Sequence, residues 1–217
     1  MTLAPLTWRG VPVPFITPWS AETPRTPQLK AARRRLAYTD ETIHDRHGDV
    51  LWIRTPYARG TGAPEFAGIH AMRQRQAITR DLCMICGVSV SGYCGGKYLF
   101  LLAARDGRPI REGEVTAVPP IHPHCARIAT QHCPHLRRGW AAALVAYAPN
   151  WGVAGICYSE RTLQPLPGPP SDPEGLTYVE YVNRPQLMWM VAARAAVALY
   201  EVEPVSDLTR LAETVPL

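Results

Sequence analysis

The sequence predicts an α+β fold with an antiparallel sheet, and three observations lead to it. Short apolar runs bounded by glycine, proline and Asp-Gly turns recur along the chain and indicate strands. Segments 69–82 and 122–139 instead repeat apolar residues at helical spacing. A hydrophobic fraction of 47% over 217 residues is enough for one globular core.

The first 28 residues are rich in proline and carry scattered aromatic side chains, namely Trp8, Phe15 and Trp19. Proline removes a backbone donor and fixes φ, so such a segment favours extended structure. We expect residues 1–28 to form an arm laid on the surface of a single domain that spans 29–217.

The first half of this domain alternates strands with a helix. "RRLAYTDE" and "DVLWIRTP" predict two strands joined by "TIHDRHGD", which we expect to form a hairpin or strand pair. "GTGAPEFAG" is a loop that leads into the helix 69–82. "KYLFLLAARDG" then predicts a strand that ends in an Asp-Gly turn, with "EVTAVPP" as its hairpin partner.

The second half begins with a helix from His122 that Gly139 ends. Two strands follow on either side of "APNWG", and "LQPLPGPPSDPEG" predicts a surface loop. "LTYVEYV" predicts a further strand. A long C-terminal helix over 183–202 is expected last, with Asn183 as N-cap and Pro185 in the first turn.

The sequence contains two pairs of cysteine and histidine residues whose spacing is typical of a metal site. Cys83 and Cys86 are separated by two residues and followed by Gly87, which permits the tight turn that aims both sulfurs at one ion. His122 and Cys125 repeat the spacing at the start of a predicted helix. The four donors form the closed tetrahedral set of structural Zn²⁺, although iron is not excluded. Small buried thiols are the alternative, but they leave the paired spacing unexplained.

The identity of the fourth ligand depends on where the second helix ends. Cys133 lies eight residues after Cys125, about two turns or roughly 12 Å along an intact helix, which is too far for one ion. If the helix ended at Thr130 or Gln131, Cys133 could replace His122. His124 is adjacent to Cys125 and is expected to point elsewhere.

The order of these elements is that of a treble-clef zinc finger, in which a knuckle and a hairpin precede a helix whose first turn supplies the last ligands. A structural zinc ion contributes about 10–16 kcal/mol of apparent binding free energy, which is comparable with the net stability of a whole domain of about 5–15 kcal/mol. Loss of a ligand is therefore expected to unfold the region around the ion.

"RQRQAITRDLCMICG" with "PPIHPHCARIATQHCPHLRRG" resembles segments of uncharacterised actinobacterial and actinophage proteins. The resemblance extends to "LAYTDETIHDRHGDVLWIR" and covers about half of the chain. It implies a cytosolic zinc protein and implies no activity.

Enzymatic signatures are sparse. The sequence lacks the His-x-Glu and Pro-Cys-x-x-Cys pattern of zinc deaminases, the His-Glu-x-x-His pattern of metalloproteases and a phosphate-binding glycine loop. A metal-dependent nuclease of the HNH type is the alternative that remains, with His47 as base in the cluster "HDRHGD". A polar hairpin turn explains this cluster more simply.

The net charge of +5 comes from arginine, since Lys30 and Lys97 are the only lysines. Codon bias accounts for such a preference, but arginine also suits phosphate groups. If they share one side of the protein, five arginines near the metal motifs would form a nucleic-acid-binding face, namely Arg73, Arg75, Arg80, Arg137 and Arg138. A solvated helix surface is the alternative.

A non-enzymatic binding or regulatory protein that contacts nucleic acid is therefore the leading hypothesis. A scaffold that self-associates through the 183–202 helix is a further possibility. Without a basic leader followed by an apolar segment, or an apolar stretch of bilayer length, we expect a soluble cytoplasmic protein.

Overall fold

The computed structural model describes residues 6–25, 27–104, 106–170, 172 and 174–214. Within these ranges the chain is a mixed α+β structure with antiparallel-rich sheets, as predicted. The strands are β1 (Thr7–Trp8), β2 (Val11–Pro12), β3 (Leu29–Ala32), β4 (Arg35–Tyr38), β5 (Arg46–His47), β6 (Val50–Trp52), β7 (Tyr98–Ala103), β8 (Glu114–Thr116), β9 (Trp140–Tyr147), β10 (Asn150–Cys157), β11 (Thr177–Glu180) and β12 (Met190–Val205). The helices are α1 (Ala71–Thr79), α2 (Pro123–His132), α3 (Arg184–Leu187) and α4 (Leu208–Thr214).

The main sheet is organised around β12. This strand pairs antiparallel with β10 over its first half and with β9 over its second half, and β8 also pairs with it antiparallel. β6 lies parallel to it, with Val191 opposite Leu51. The edges are completed by β11 on β10, β5 on β6 and β7 on β9.

The predicted C-terminal helix over 183–202 is wrong. Asn183 does cap a helix, since its side chain accepts a hydrogen bond from the Gln186 N–H, but that helix ends at Leu187. From Met190 to Leu199 most side chains are buried, as expected for a central strand covered on both faces. A continuous apolar run of this kind has no period that separates a buried strand from a buried helix.

The predicted strands exist, but two predicted pairings do not. β7 pairs with β9, and β8 pairs with β12, so the hairpin expected between "KYLFLLAARDG" and "EVTAVPP" is not formed. β4 pairs with β3, whereas β6 pairs with β5 and β12. The predicted strands were assumed to pair in consecutive order. Instead, β7 and β8 pair with strands later in the chain, and β4 pairs with β3, a short strand that was not predicted.

α1 is attached to the centre of the sheet by one buried side chain. The Gln74 amide donates to the carbonyl oxygens of Ala117 (2.6 Å) and Ala195 (2.9 Å), and its oxygen accepts from the Ala195 N–H (2.9 Å). α2 packs in a second core cluster with β7, β9 and α4, which also contains Cys83 and Cys125. The sheet thus fixes the positions of the two helices that flank the metal motifs.

The proline-rich segment is integrated into this fold over the part that the structure describes. Ile16, Thr17 and Trp19 are buried, and Glu22 forms a buried ion pair with Arg73 of α1. These buried side chains belong to the core, and the separation of a surface arm from a 29–217 domain stays a prediction. Across the described ranges, none of the helices combines the length and the apolar character needed to cross a bilayer.

Candidate metal centre

Four side chains with metal-ligating atoms meet at one point. They are the four ligands predicted from the sequence: Cys83, Cys86, His122 and Cys125. One ligand atom from each lies within 4.8 Å of every other. Among the described residues, no second group of three or more Cys, His, Asp or Glu side chains converges in this way.

The first two ligands lie on a knuckle that backbone hydrogen bonds close. The Gly87 N–H donates to the Cys83 carbonyl (2.8 Å), and the Cys83 N–H donates to the Val88 carbonyl (2.8 Å). Gly87 has φ of +75°, a left-handed conformation that glycine adopts without strain. A side chain there would also collide with the Phe15 ring, 2.7 Å from the position of a Cβ atom. Backbone conformation and packing therefore both require glycine.

The other two ligands lie at the start of α2. His122 is the N-cap residue and Pro123 the first helical residue, where proline lacks only a donor that the helix would not use. Cys125 follows in the same first turn and is buried. The Met84 N–H donates to the Pro120 carbonyl (3.0 Å), which holds the knuckle against the segment that enters the helix. The two ligand pairs are thus positioned by main-chain contacts.

A hydrogen bond on its outer side orients the His122 ring. Its Nε2 lies 3.0 Å from the Ser89 carbonyl oxygen, so Nε2 carries the proton that this acceptor requires. When the ring is neutral, Nδ1 presents its lone pair to the cluster, 3.3 Å from the Cys86 sulfur. The Tyr93 ring packs edge-on against the imidazole at 4.5 Å between centroids. Neither Ser89 nor Tyr93 belongs to a sequence motif, so their roles could not be predicted.

The electrostatics of the cluster are those of a site that requires a cation. Hydrogen bonds from the Cys125 and Cys83 thiols lower the pKa of Cys86 far below its ordinary value. The same contacts raise the pKa of Cys125, because a second thiolate beside the first is unfavourable. Burial lowers the pKa of His122, but the adjacent Cys83 and Cys86 sulfurs outweigh burial and raise it to about 10. A bound cation would replace these shared protons.

The donor set fits a metal ion. An ion with bonds of about 2.3 Å to sulfur holds tetrahedral ligands about 3.8 Å apart, so the donors need only a small contraction. His122 and Cys125 are buried with Cys83, and Cys86 is partly exposed. Three thiols and one imidazole are soft and borderline donors that favour transition metals over Mg²⁺ or Ca²⁺.

The remaining cysteines and the other histidines of this region lie outside the group. Cys133 follows the last residue of α2 as its C-cap, and His124 is exposed. The predicted end of this helix at Gly139 is wrong, because α2 ends at His132 and Cys133, which precedes Pro134, is extended. The still earlier end that would have let Cys133 replace His122 does not occur. Cys157 is buried in β10, and Cys94 lies in a turn before β7.

One residue of the predicted arginine face cannot take part in it. Arg73 is 0% exposed and donates to both carboxylate oxygens of Glu22, at 2.6 and 2.7 Å, and to the carbonyl oxygens of Phe15 and Thr17. The prediction that Arg73 contacts a phosphate group is therefore wrong. Arg73 was grouped with Arg75 and Arg80 because all three lie on the same predicted helix. The N-terminal segment covers Arg73 and removes it from solvent.

The other four predicted arginines differ in exposure. Arg75 is partly buried, with its guanidinium 4.4 Å from the centre of the Trp52 ring. Arg80, Arg137 and Arg138 are exposed, and none forms a salt bridge with a described residue.

The "HDRHGD" cluster does not assemble a second metal group among the described residues. Asp45 is buried and bound by Arg54 through both oxygens, at 2.6 and 2.7 Å. The hydrogen bonds from Arg54 lower the pKa of Asp45 to about 2. His47 and Asp49 are exposed. Asp45 therefore serves an ion pair, and the arrangement lends no support to the nuclease alternative.

Comparisons with known proteins leave the chain without an assigned family. No protein-family model, curated protein or solved structure matches it. The resemblance to actinobacterial and actinophage proteins stays a prediction. The metal-ligating quartet is accordingly the feature from which a function can be inferred.

Proposed function

We propose that this chain is a zinc-stabilised, non-enzymatic binding or regulatory protein of the cytoplasm, with nucleic acid as its partner. The convergence of Cys83, Cys86, His122 and Cys125 carries this proposal. Four protein donors complete the tetrahedral shell of Zn²⁺ and leave no position for water or a substrate, which is typical of structural sites. We also propose that the bound ion is Zn²⁺, because three cysteines and one histidine are a common ligand set for structural zinc.

The ion would join two segments that are 36 residues apart in sequence, as measured from Cys86 to His122. A knuckle followed by the first turn of a helix is the ligand arrangement of a treble-clef site, although here the hairpin between them is replaced by pairing with β9 and β12. Bound zinc supplies cross-linking free energy, and Ser89 holds the imidazole in the tautomer that binds it.

The proposed nucleic-acid contact rests on Arg80, Arg137 and Arg138. Arg80 stands three residues before Cys83, and the other two lie in a short 3-10 turn that begins four residues after the end of α2, so both segments are near the ligand-bearing elements in sequence. All three are exposed, and the chain carries a net charge of +5. Arginines without acidic partners are available to phosphate groups, which gives sequence-independent binding.

Metal content tests the first part of the proposal. We expect one zinc ion per purified chain by elemental analysis, and cobalt substitution should give the absorption bands of thiolate ligation. Cys125→Ala should lose the metal. Cys133→Ala, which removes a thiol outside the quartet, should retain it. Purified protein with no stoichiometric metal would contradict the proposal.

Salt-dependent binding tests the second part. Fluorescence anisotropy with labelled duplex DNA and single-stranded RNA should show affinity that falls as salt rises. Exchange of Arg80, Arg137 and Arg138 for Gln should weaken binding and reduce the slope of log K against log salt by about 2 to 3. Exchange of Arg33, Arg34 and Arg161, three exposed arginines elsewhere, is the charge-matched control. Absence of binding at low ionic strength would exclude this partner.

A further inference from the structure

A pocket of about 410 Å³ lies between the 44–56 segment and the first turn of α1. Its lining includes Arg25, His44, Trp52, Arg54, Met72 and Arg75. None of the four metal ligands lines it, so it is separate from the metal centre. A volume of this size is within the range of pockets that hold small molecules, which is about 300–1,000 Å³.

The charges that line the pocket are unequally matched. Arg54 is neutralised, because it donates to Asp45 at 2.6 Å and to Asp40 at 2.8 Å. Arg25 and Arg75 form no salt bridge and donate no side-chain hydrogen bond within the described part of the chain. Two guanidinium groups thus retain their hydrogen-bonding capacity, one exposed and one partly buried.

Arg75 is held in an arrangement that desolvates it. Its guanidinium packs on the face of Trp52, and burial lowers its pKa. A partly buried guanidinium without an acidic partner is unusual, since buried charges in folded proteins are normally paired. An anion in the pocket would supply the missing partner.

The first turn of α1, which lines the pocket, also carries main-chain donors without a partner among the described residues. The N–H of Arg73 is capped by the His70 ring, and that of Gln74 donates to the His70 carbonyl. Ala71 and Met72 line the pocket, and their N–H groups make no hydrogen bond to any described residue. Free N–H groups at the start of a helix favour an anion.

Two lining residues also carry buried polar atoms that the described chain does not pair: Trp52 Nε1 and Thr55 Oγ1. Trp52 is 4% exposed, so its indole N–H is removed from bulk water. Such atoms are uncommon in folded proteins and mark places with hydrogen-bonding capacity left for another molecule.

We propose that this pocket binds the phosphate monoester group of a nucleotide, either a free mononucleotide or the phosphorylated end of a strand. A phosphate monoester carries close to two negative charges at neutral pH, which matches two unpaired arginines better than a single carboxylate does. The helix N–H groups complete the anion shell, and Ile53, Pro56 and Met72 offer apolar surface to the rest of the ligand. This site is independent of the arginines invoked in the proposed function.

Calorimetric titration of the full zinc-loaded chain tests the pocket. The probes are inorganic phosphate, adenosine monophosphate and adenosine. We expect the first two to bind and adenosine to bind at least tenfold more weakly than its monophosphate. Arg75→Gln and Arg25→Gln should each weaken binding of the monophosphate at least tenfold, whereas Arg210→Gln, which removes an exposed charge from α4, should change it less than twofold.

Oligonucleotides with and without a 5′ phosphate distinguish the two sources. A phosphorylated strand that binds at least tenfold more tightly than the same strand without the phosphate, with that difference lost in Arg25→Gln, identifies a strand end. Equal binding of the two strands identifies a free nucleotide. Arg25 is exposed, so Arg25→Gln keeps the test valid if Arg75→Gln disturbs folding. The proposal is overturned if phosphate and monophosphate fail to bind at millimolar concentration, or if Arg25→Gln and Arg210→Gln behave alike. Either result leaves binding through Arg80, Arg137 and Arg138 untouched.

Discussion

Replacement of Glu22 by Gln tests whether the buried pair with Arg73 holds the N-terminal segment on α1. Both side chains are 0% exposed, and Arg73 donates to both carboxylate oxygens at 2.6 and 2.7 Å. Gln has almost the same shape but no charge, so the buried guanidinium loses its counter-charge. Removing one partner of a buried ion pair costs about 3–5 kcal/mol of the free energy of unfolding.

The pKa of Glu22 gives a second estimate of the same quantity. Burial raises this pKa, but hydrogen bonds from Arg73 and from the Trp19 and Ala58 N–H groups outweigh it and lower the pKa from 4.5 to about 2. At about 1.4 kcal/mol per pH unit, that shift corresponds to about 3 kcal/mol. Because the folded-state pKa is depressed, the contribution is complete above pH 4.5 and is lost as the pH falls toward 2.

Urea unfolding of the zinc-loaded protein is the assay. At pH 7 we expect Glu22→Gln to lower the free energy of unfolding by about 3–5 kcal/mol. Acid also releases zinc from thiolate ligands in both proteins, so the pH comparison uses the difference between variant and wild type, which should shrink as the pH falls from 4.5 to 2. Arg184→Gln is the control, because its pair with Asp49 is 66% and 80% exposed and should contribute less than about 1 kcal/mol. A Glu22→Gln protein within about 1 kcal/mol of the wild type would refute the reasoning.

Three further substitutions test the metal centre and the sheet. Cys125→Ala should abolish stoichiometric zinc binding and unfold the region around α2, because the lost binding free energy of about 10–16 kcal/mol is comparable with the stability of the domain. A circular dichroism spectrum that matches the wild type would contradict this prediction. Gly87→Ala should weaken zinc binding about tenfold, as measured by competition with a chromophoric chelator. The reason is that φ of residue 87 is +75° and that the Phe15 ring lies 2.7 Å from the added Cβ. Unchanged affinity would show that the knuckle adapts. Gly155→Ala should lower the free energy of unfolding by at least about 1–3 kcal/mol, because the added Cβ would lie 2.2 Å from the Val191 carbonyl oxygen of β12. An unaltered urea midpoint would disprove that close approach.

The metal-ligating quartet could be predicted because its signals are local. Two residues separate Cys83 from Cys86, and two separate His122 from Cys125, so each pair is aimed by one turn of backbone. The existence of α1 follows from helical periodicity, although the helix spans 71–79 and not the predicted 69–82, and the start of α2 follows from Pro123 at the first helical position. These features depend on neighbours only a few residues away.

Other features depended on partners far along the chain. The 190–205 segment is a strand because β6, β8, β9 and β10 all pair with it, and its alanine-rich sequence does not reveal those pairings. Arg73 is buried because Glu22, 51 residues earlier, lies against it. The pocket likewise joins Arg25, the strand residue Trp52 and Arg75 of α1. No local sequence pattern predicts these contacts. Their free energy depends on burial and packing in the complete fold, and these override local propensity.

The amino-acid sequence by itself determined the mixed α+β class, the knuckle and the two ligand pairs, because spacing, capping and turn residues act over a few positions. Only the tertiary structure decided which strands pair, which arginines face solvent, and which groups line the pocket. Those outcomes depend on burial and on charge partners that chain folding brings together from distant positions.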